Sequence, residues 1–290
     1  MSRVVVVGDV MLDVVVRPMD EVAPTSDTPA EVRVSRGGAA ATLASAVAAA
    51  GHHVRFVGAA GDDEGAGLVE NALRRAGVEP QLWRAPARTG VVVALVAPDG
   101  QRAMLTDRGA NPLLDATFVR SRVGDCDHLH VSGYSVLDEA TRALVVAVLR
   151  DARDAGCTTS VDVCSVAPLV RVGGEVFRRA VAGADFVFAN AEEALVLAGT
   201  DDEDAALGVL AVHFTEVLVT RGARGARVAR GGERWVAPAR TVRVVDTTGA
   251  GDAATGAYLA ARLEGLDVPA ALERAMDAGA RAVESLGSNY

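Results

Sequence analysis

The sequence is that of an α/β protein: a doubly wound, mostly parallel sheet flanked by helices, with a small β-sheet standing off it. Three observations predict this. Short Val-rich runs alternate with Ala-rich helical stretches along the chain, the pattern of strands buried on both faces and joined by helices. Single glycines follow the helical stretches at Gly51, Gly77, Gly156 and Gly265, where a residue able to adopt positive φ ends a helix at little cost. One stretch, residues 89–106, breaks the alternation with the texture of a β-hairpin.

In chain order, residues 4–7 form the first strand. The apolar stretch continues to residue 16 but is broken by Asp9 and Asp13, so it reads as a buried strand and its continuation rather than a leader or a membrane span. Residues 14–17 and 31–35 join the hairpin in a lid whose strands are drawn from about 14–36 and 89–107; an edge hairpin of the main sheet is the other placement. Within the hairpin, residues 91–97 and 101–106 flank the turn Pro98-Asp99-Gly100. Residues 54–57, 128–131, 158–163, 186–188 and 217–219 are further strands of the main sheet, each leading to a polar loop and often a helix. Residues 241–245 read as a last strand and 253–264 as the helix after it. No repeat, low-complexity linker or charge block interrupts the chain, so residues 1–290 are expected to form one domain.

Composition excludes several classes. A formal charge of -9 with no basic run argues against nucleic acid or a membrane surface as partner. The chain contains no lysine, which removes a Walker A loop, a protein-kinase strand lysine and a pyridoxal-phosphate Schiff base. Cys126, Cys157 and Cys164 form no CxxC pair and leave one thiol over in any disulfide scheme, so a reducing, cytoplasmic setting is the expectation. Gly8-Asp9-Val10 lacks the glycine spacing of a dinucleotide fingerprint.

The chemistry-bearing signal is Asp246-Thr247-Thr248-Gly249-Ala250-Gly251-Asp252, between the expected strand and helix. A glycine loop opening a helix is an anion cradle, because backbone N–H groups reach a phosphoryl group that no bulky side chain holds off. A carboxylate facing such a spot repels phosphate but accepts a proton from an attacking hydroxyl. By pattern alone an Asp beside a glycine turn is more often a helix cap. The run from Asp246 to Ala257 resembles the C-terminal signature of ribokinase-type (PfkB) sugar kinases. The resemblance implies a ribokinase-like fold, with Asp252 as catalytic base and Gly249, Ala250 and Gly251 as the anion hole. It also implies ATP and Mg2+, and makes K+ near Asp246 a candidate activator.

Other segments share the resemblance. Gly37 and Gly38, before an Ala-rich helix, are similar to the family's sugar-side glycines, although Thr42 stands where Asn is usual; a hydroxyl cannot present the two-ended amide that binds sugar hydroxyls. Asp13 is similar to the substrate-binding Asp, while local sequence does not rank it against Asp9. Arg108-Gly109-Ala110-Asn111 is similar to the segment returning from the lid, which implies Asn111 at the sugar. Asn190-Ala191-Glu192-Glu193 matches an N-x-x-E element that organises magnesium through water. The segment from Thr220 to Gly225, with Gly222, resembles a T-x-G-x-x-G element along the nucleotide. Asp162, Asn190, Thr220 and Asp246 all fall at or after expected strand ends, where open α/β sheets bind ligands. Cys164, two residues after Asp162, stands where many relatives have Asn and reads as small packing.

The expected activity is therefore transfer of the ATP γ-phosphoryl group to a hydroxymethyl group of a small, ribose-like sugar. A nucleoside kinase is the enzymatic alternative, disfavoured by aromatic residues at only 4%. Phosphofructokinase-like activity is less attractive, because a phosphorylated sugar needs cations and only Arg36, Arg88, Arg102 and Arg108 are obvious candidates. A catalytically silent sugar or nucleotide sensor is the reading from another class, opposed by the intact Asp252 and its glycines. The family also makes a homodimer through the lid a candidate assembly.

Overall fold

The computed structural model describes residues 1–97 and 102–284, so the turn Pro98-Asp99-Gly100 and the last residues of the chain lie outside the described residues. The elements run β1 (Arg3–Val7), β2 (Met11–Pro18), β3 (Ala30–Gly37), α1 (Ala39–Ala49), β4 (His53–Gly61), α2 (Glu64–Arg75), β5 (Val78–Ala85), β6 (Gly90–Val96) and β7 (Arg102–Asp107). There follow α3 (Ala116–Val123), β8 (His128–Ser132), α4 (Gly133–Leu137), α5 (Glu139–Asp154), β9 (Thr158–Asp162), α6 (Val166–Val172), α7 (Gly174–Ala180), β10 (Phe186–Asn190), α8 (Ala191–Ala198) and α9 (Glu203–His213). The chain closes with β11 (Glu216–Thr220), β12 (Ala226–Arg230), β13 (Glu233–Ala237), α10 (Ala250–Leu263) and α11 (Val268–Val283).

The large sheet has nine strands in the order β13-β12-β11-β10-β9-β8-β1-β4-β5. It is parallel except where β12 and β13 return antiparallel at one edge. Its strands alternate between two cores. Val5 and Val7 face a cluster with Leu129, Val131, Val161, Val187 and Val217, covered by α3 and α5 to α9. Val4 and Val6 face the opposite cluster with Phe56, Phe188 and Leu218, covered by α1, α2, α10 and α11. Side chains that point to opposite faces in turn, both faces apolar, explain the uninterrupted valine run of β1.

A second sheet of four strands, in the order β3-β2-β6-β7, stands apart. Its β2–β3 and β6–β7 pairs are antiparallel and β2–β6 is parallel. The parallel joint arises because β2 and β6 both leave the main sheet at the same end.

Two expectations fail locally. Residues 241–245 form no strand: instead the N–H groups of Val245 and Asp246 both bond to the Val283 carbonyl, at 2.7 and 3.1 Å, so the segment hangs from the end of α11 rather than from a ladder. The following helix begins at Ala250, three residues early, because Gly249 takes a left-handed conformation (φ 71°) and starts the turn itself. The cysteines also hold a surprise, since Cys126 and Cys157, 31 positions apart, place their buried thiols 3.1 Å from each other.

A buried ion cluster ties α10 to β11 and β12. Glu216, 1% exposed, accepts from Tyr258 Oη at 2.6 Å and from Arg262 Nε at 2.8 Å, and pairs with Arg230 Nε at 3.1 Å. Removing one partner strands buried charge. Arg262→Met is therefore expected to lower unfolding free energy by about 3 kcal/mol, measured by urea denaturation. A loss under about 0.5 kcal/mol would show that Arg230 and Tyr258 suffice.

Candidate active site

The strand order reverses direction of growth at β1 and β8: the chain leaves β1 toward β4 and β8 toward β9. Loops at the carboxyl ends of these two strands diverge and leave a crevice, the usual ligand position of open α/β sheets. Asp9 bridges it. Its carboxylate accepts from Ser132 Oγ at 2.7 Å and from Ala39 N, at the start of α1, at 3.0 Å. Asp9 is thus engaged by the fold. Ser132 was missed in the sequence because a serine at a strand end carries no motif.

Asp13, on β2, lies over Gly37 of β3, where a Cβ would fall inside the carboxylate. Desolvation lifts the Asp13 carboxyl to about 6, against the opposing charge of Arg36, with Asp9 and Asp246 adding to the rise. Gly38 has φ 96° and its ideal Cβ would stand 2.6 Å from the Asp9 carbonyl, so this position requires glycine on two counts. Thr42, on α1, is buried, and its Oγ1 accepts from Arg36 at 3.2 Å. The side chain that replaces the usual Asn thus serves to seat an arginine.

The Asn111 amide bonds to the backbone: Oδ1 accepts from Val10 N at 3.0 Å, and Nδ2 donates to the carbonyls of Val10 at 3.1 Å and Arg108 at 2.9 Å. It clamps the segment returning from β7 onto the loop between β1 and β2.

Of the four positions expected at strand ends, Asp162, Asn190 and Thr220 terminate β9, β10 and β11, whereas Asp246 sits in the loop held by α11. There Asp246 is buried and accepts from Thr248 N at 2.6 Å, shaping the turn into α10. Asn190 and Glu193 form a reciprocal capping box on α8, each side chain bonded to the other's N–H at 2.9 Å. The N-x-x-E pattern is thus first a helix start. Cys164 has φ 73°, uncommon for a residue with a side chain, and its Sγ lies 3.4 Å from Ser132 Oγ. Burial and the nearby Asp162, Asp9 and Asp252 push the Cys164 thiol up, which disfavours the nucleophilic thiolate.

Asp252 lies in the first turn of α10 and is half-buried. Desolvation, then Asp162, Asp9 and Glu193, push its carboxyl well above the ordinary range, with Arg36 as the counter-charge. Asp162 and Glu193 are raised in the same way, chiefly by desolvation. No side-chain hydrogen bond caps α10, and the one acidic residue of its first turn is Asp252. Beside it is a cavity of about 560 Å³ whose walls include Thr220, Gly222 and Gly225 on one side and Ala250, Gly251 and Ala254 on the other. Val242, Val244, Met276 and Val283 give it an apolar lining. Nucleotide-side and anion-side residues more than twenty positions apart thus share one slot, while Asn190 and Glu193 lie outside its walls.

An uncapped helix start at a strand-end crevice, a carboxyl crowded by others beside it and an adjoining nucleotide-sized slot together define a phosphotransferase on a ribokinase-like fold. The chain belongs to the pfkB family of carbohydrate kinases, whose family pattern matches residues 1–290. It is an ATP-dependent carbohydrate kinase. It is 34% identical over 288 residues to the ATP-dependent ribose-1-phosphate kinase of Halopiger xanaduensis, covering 97% of this chain and 91% of that one. It is 31% identical over 271 residues to a fructokinase of Vibrio alginolyticus, covering 90% and 84%. The structure of ribokinase from Thermotoga maritima superposes with a TM-score of 0.82 at 24% identity, covering 99% and 95%, and shares the fold. Among the described residues no helix is long and apolar enough to cross a membrane.

Proposed function

We propose that the enzyme transfers the γ-phosphoryl group of ATP to a hydroxymethyl group of a small ribose-like sugar, with Asp252 as general base. The observation that carries this is Asp252 in the first turn of α10, a helix start without a side-chain cap whose Ala250 and Gly251 wall the 560 Å³ slot. The N–H groups of Gly249, Ala250 and Gly251 stabilise charge developing on the phosphoryl oxygens. The Ala250 N–H also has a long 3.4 Å contact with the Thr247 carbonyl. Asp252, kept basic by its neighbours, takes the proton of the attacking hydroxyl.

Thr220, Gly222 and Gly225 line the path of the nucleotide. Gly225 has φ 82°, which brings its backbone against residues 237–239 and shapes the slot. Magnesium fits the site through water: no group of three His, Cys, Asp or Glu side chains among the described residues holds a metal directly, and Mg2+ ordinarily keeps several waters. Glu193 and Asn190 would hold that hydrated ion, which supplies charge neutralisation to the phosphates. Asp246 is the residue we assign to a K+ site.

On the sugar side, Asp13 accepts hydroxyl hydrogens, Gly37 and Gly38 let the ligand approach the backbone, and Thr42 acts through Arg36. Gly37→Ala is expected to raise the sugar KM at least roughly tenfold by displacing Asp13, with the ATP KM unchanged; equal sugar KM values would remove Asp13 from the site.

The second sheet serves as the lid of this single domain. Its face carrying Val14, Val16, Val32, Val34, Val93, Leu95 and Leu105 is apolar, with Val32, Val34 and Leu105 more than half exposed, which supports a homodimer through the lid.

The ribose-1-phosphate kinase relative makes ribose, free or as its 1-phosphate, the first acceptor to test, followed by fructose and adenosine. The test is ADP release with Mg-ATP, with and without K+. Turnover confined to sugars supports the reading. Turnover on adenosine alone would replace it with a nucleoside kinase, and ATP binding without turnover on any acceptor would leave a sensor.

A further inference from the structure

Two thiols meet at the end of the large sheet away from the cleft. Cys126 lies just before β8 and Cys157 just before β9, whereas Ser132 and Asp162 terminate those same strands at the cleft. The two strands are parallel neighbours, and their pairing runs on past the strand starts, Thr158 N donating to the Asp127 carbonyl at 3.1 Å. Asp125, with φ 60°, turns the chain immediately ahead of Cys126. Both cysteines join one apolar cluster with Leu129 and Val161. Cys126 Sγ stands 3.1 Å from Cys157 Sγ, whose own thiol donates to the Cys126 carbonyl at 2.8 Å.

Adjacent strands lie about 4.8 Å apart, inside the roughly 4.4–6.8 Å between Cα atoms that a disulfide spans. Bonded sulfurs sit about 2.05 Å apart, so these thiols need to close by only about 1 Å. Cys126 is 8% and Cys157 9% exposed, so a small oxidant reaches them more readily than a second protein does. Cys164 is placed elsewhere, against Ser132, which leaves these two as the pair. Burial, then the Cys157 thiol, push the Cys126 thiol up to about 12. That disfavours the reacting thiolate and slows the chemistry, but it penalises neither the thiol nor the disulfide.

We propose that Cys126 and Cys157 form a dithiol modification site, which a peroxide oxidises to a disulfide joining the starts of β8 and β9. One thiolate attacks a peroxide oxygen, the O–O bond breaks, and a sulfenic acid forms as hydroxide leaves and takes up the thiol proton. The second sulfur then attacks the sulfenic sulfur, the S–S bond forms, and the sulfenic oxygen leaves as water with the second thiol proton. Two thiols and one hydrogen peroxide thus give one disulfide and two waters. The cysteines are 31 positions apart, and closing a loop of that length around α4 and α5 restricts the unfolded chain. Because Ser132 and Asp162 lie at the other ends of the same strands, the cross-link braces the sheet without entering the cleft.

The test is mild hydrogen peroxide treatment of the full-chain protein, followed by intact mass, thiol counting in the acid-quenched, unfolded chain and peptide mapping. The mass is expected to fall by about 2 Da, free thiols to fall from three to one, and Cys126 to be found linked to Cys157, all reversed by dithiothreitol. The oxidised form should melt roughly 5 °C higher than the reduced one. Cys164→Ser, which keeps the pair, should still lose about 2 Da, and Cys157→Ser should not. Oxygen gained without that loss, a link through Cys164, or a link only between two molecules would overturn the proposal, as would an oxidised form that melts below the reduced one.

Discussion

Asp252→Asn is expected to lower kcat by roughly 10³-fold while leaving ATP affinity within about threefold of wild type. Asn has nearly the same shape, so the start of α10 and the slot beside it stay as they are; what disappears is the ability to take a proton. The same substitution removes one member of a group of mutually repelling carboxylates, since Asp162, Asp9 and Glu193 all act on Asp252. The variant should therefore be at least as stable as wild type, which separates this outcome from unfolding. Steady-state rates, nucleotide titration and a melting curve on one preparation decide it. Unchanged kcat would exclude Asp252 as the base, and a fall in both kcat and melting temperature would make it a structural residue.

Asp13→Ala is expected to raise the sugar KM by roughly 100-fold with a smaller effect on kcat, because an ionised acceptor facing neutral hydroxyls contributes about 2 to 3 kcal/mol. Asp13 also predicts a pH dependence. Its carboxyl is raised to about 6 in the empty cleft, first by desolvation, and only the ionised form accepts from two hydroxyls. Sugar affinity should thus be flat above pH 6 and fall about tenfold per unit below it. For the protein alone the sign is opposite. A carboxyl raised on folding binds more protons folded than unfolded, so its contribution favours the folded state as pH falls from 6 toward 4. Sugar titrations in wild type and Asp13→Ala between pH 5 and pH 8, numbers chosen to bracket the transition, test the assignment. A wild-type affinity indifferent to pH would contradict it.

Much of the architecture was legible from spacing alone. Valine runs with helical stretches between them identified six strands of the large sheet, and Gly51, Gly77, Gly156 and Gly265 all adopt positive φ just past helix ends. Strands β5, β12 and β13 were not identified: β5 and β13 are the edges of the sheet, β12 joins β13 in the antiparallel return, and none carries the continuous apolar run of the central strands. The error at residues 241–245 has another origin. Val242, Val244 and Val245 have strand propensity, but among the described residues no strand pairs with them, and the Val283 carbonyl at the end of α11 takes the N–H groups of Val245 and Asp246 instead.

The sequence by itself determined the alternation of elements, the glycine cradle before α10 and the absence of lysine, since these depend on local φ preference, periodicity and composition. Only the tertiary structure decided how the polar side chains are used. It engaged Asp9 with Ser132 and α1, engaged Asn111 with the backbone, made Asn190 and Glu193 a capping box, and turned Thr42 into the seat of Arg36. A polar residue's role depends on which donor or acceptor reaches it first, and most of those partners lie far along the chain. Asp9 and Ser132 are 123 positions apart and Asn111 and Val10 are 101 apart, so no local pattern could have distinguished the residues that the fold consumes from those it leaves for a ligand.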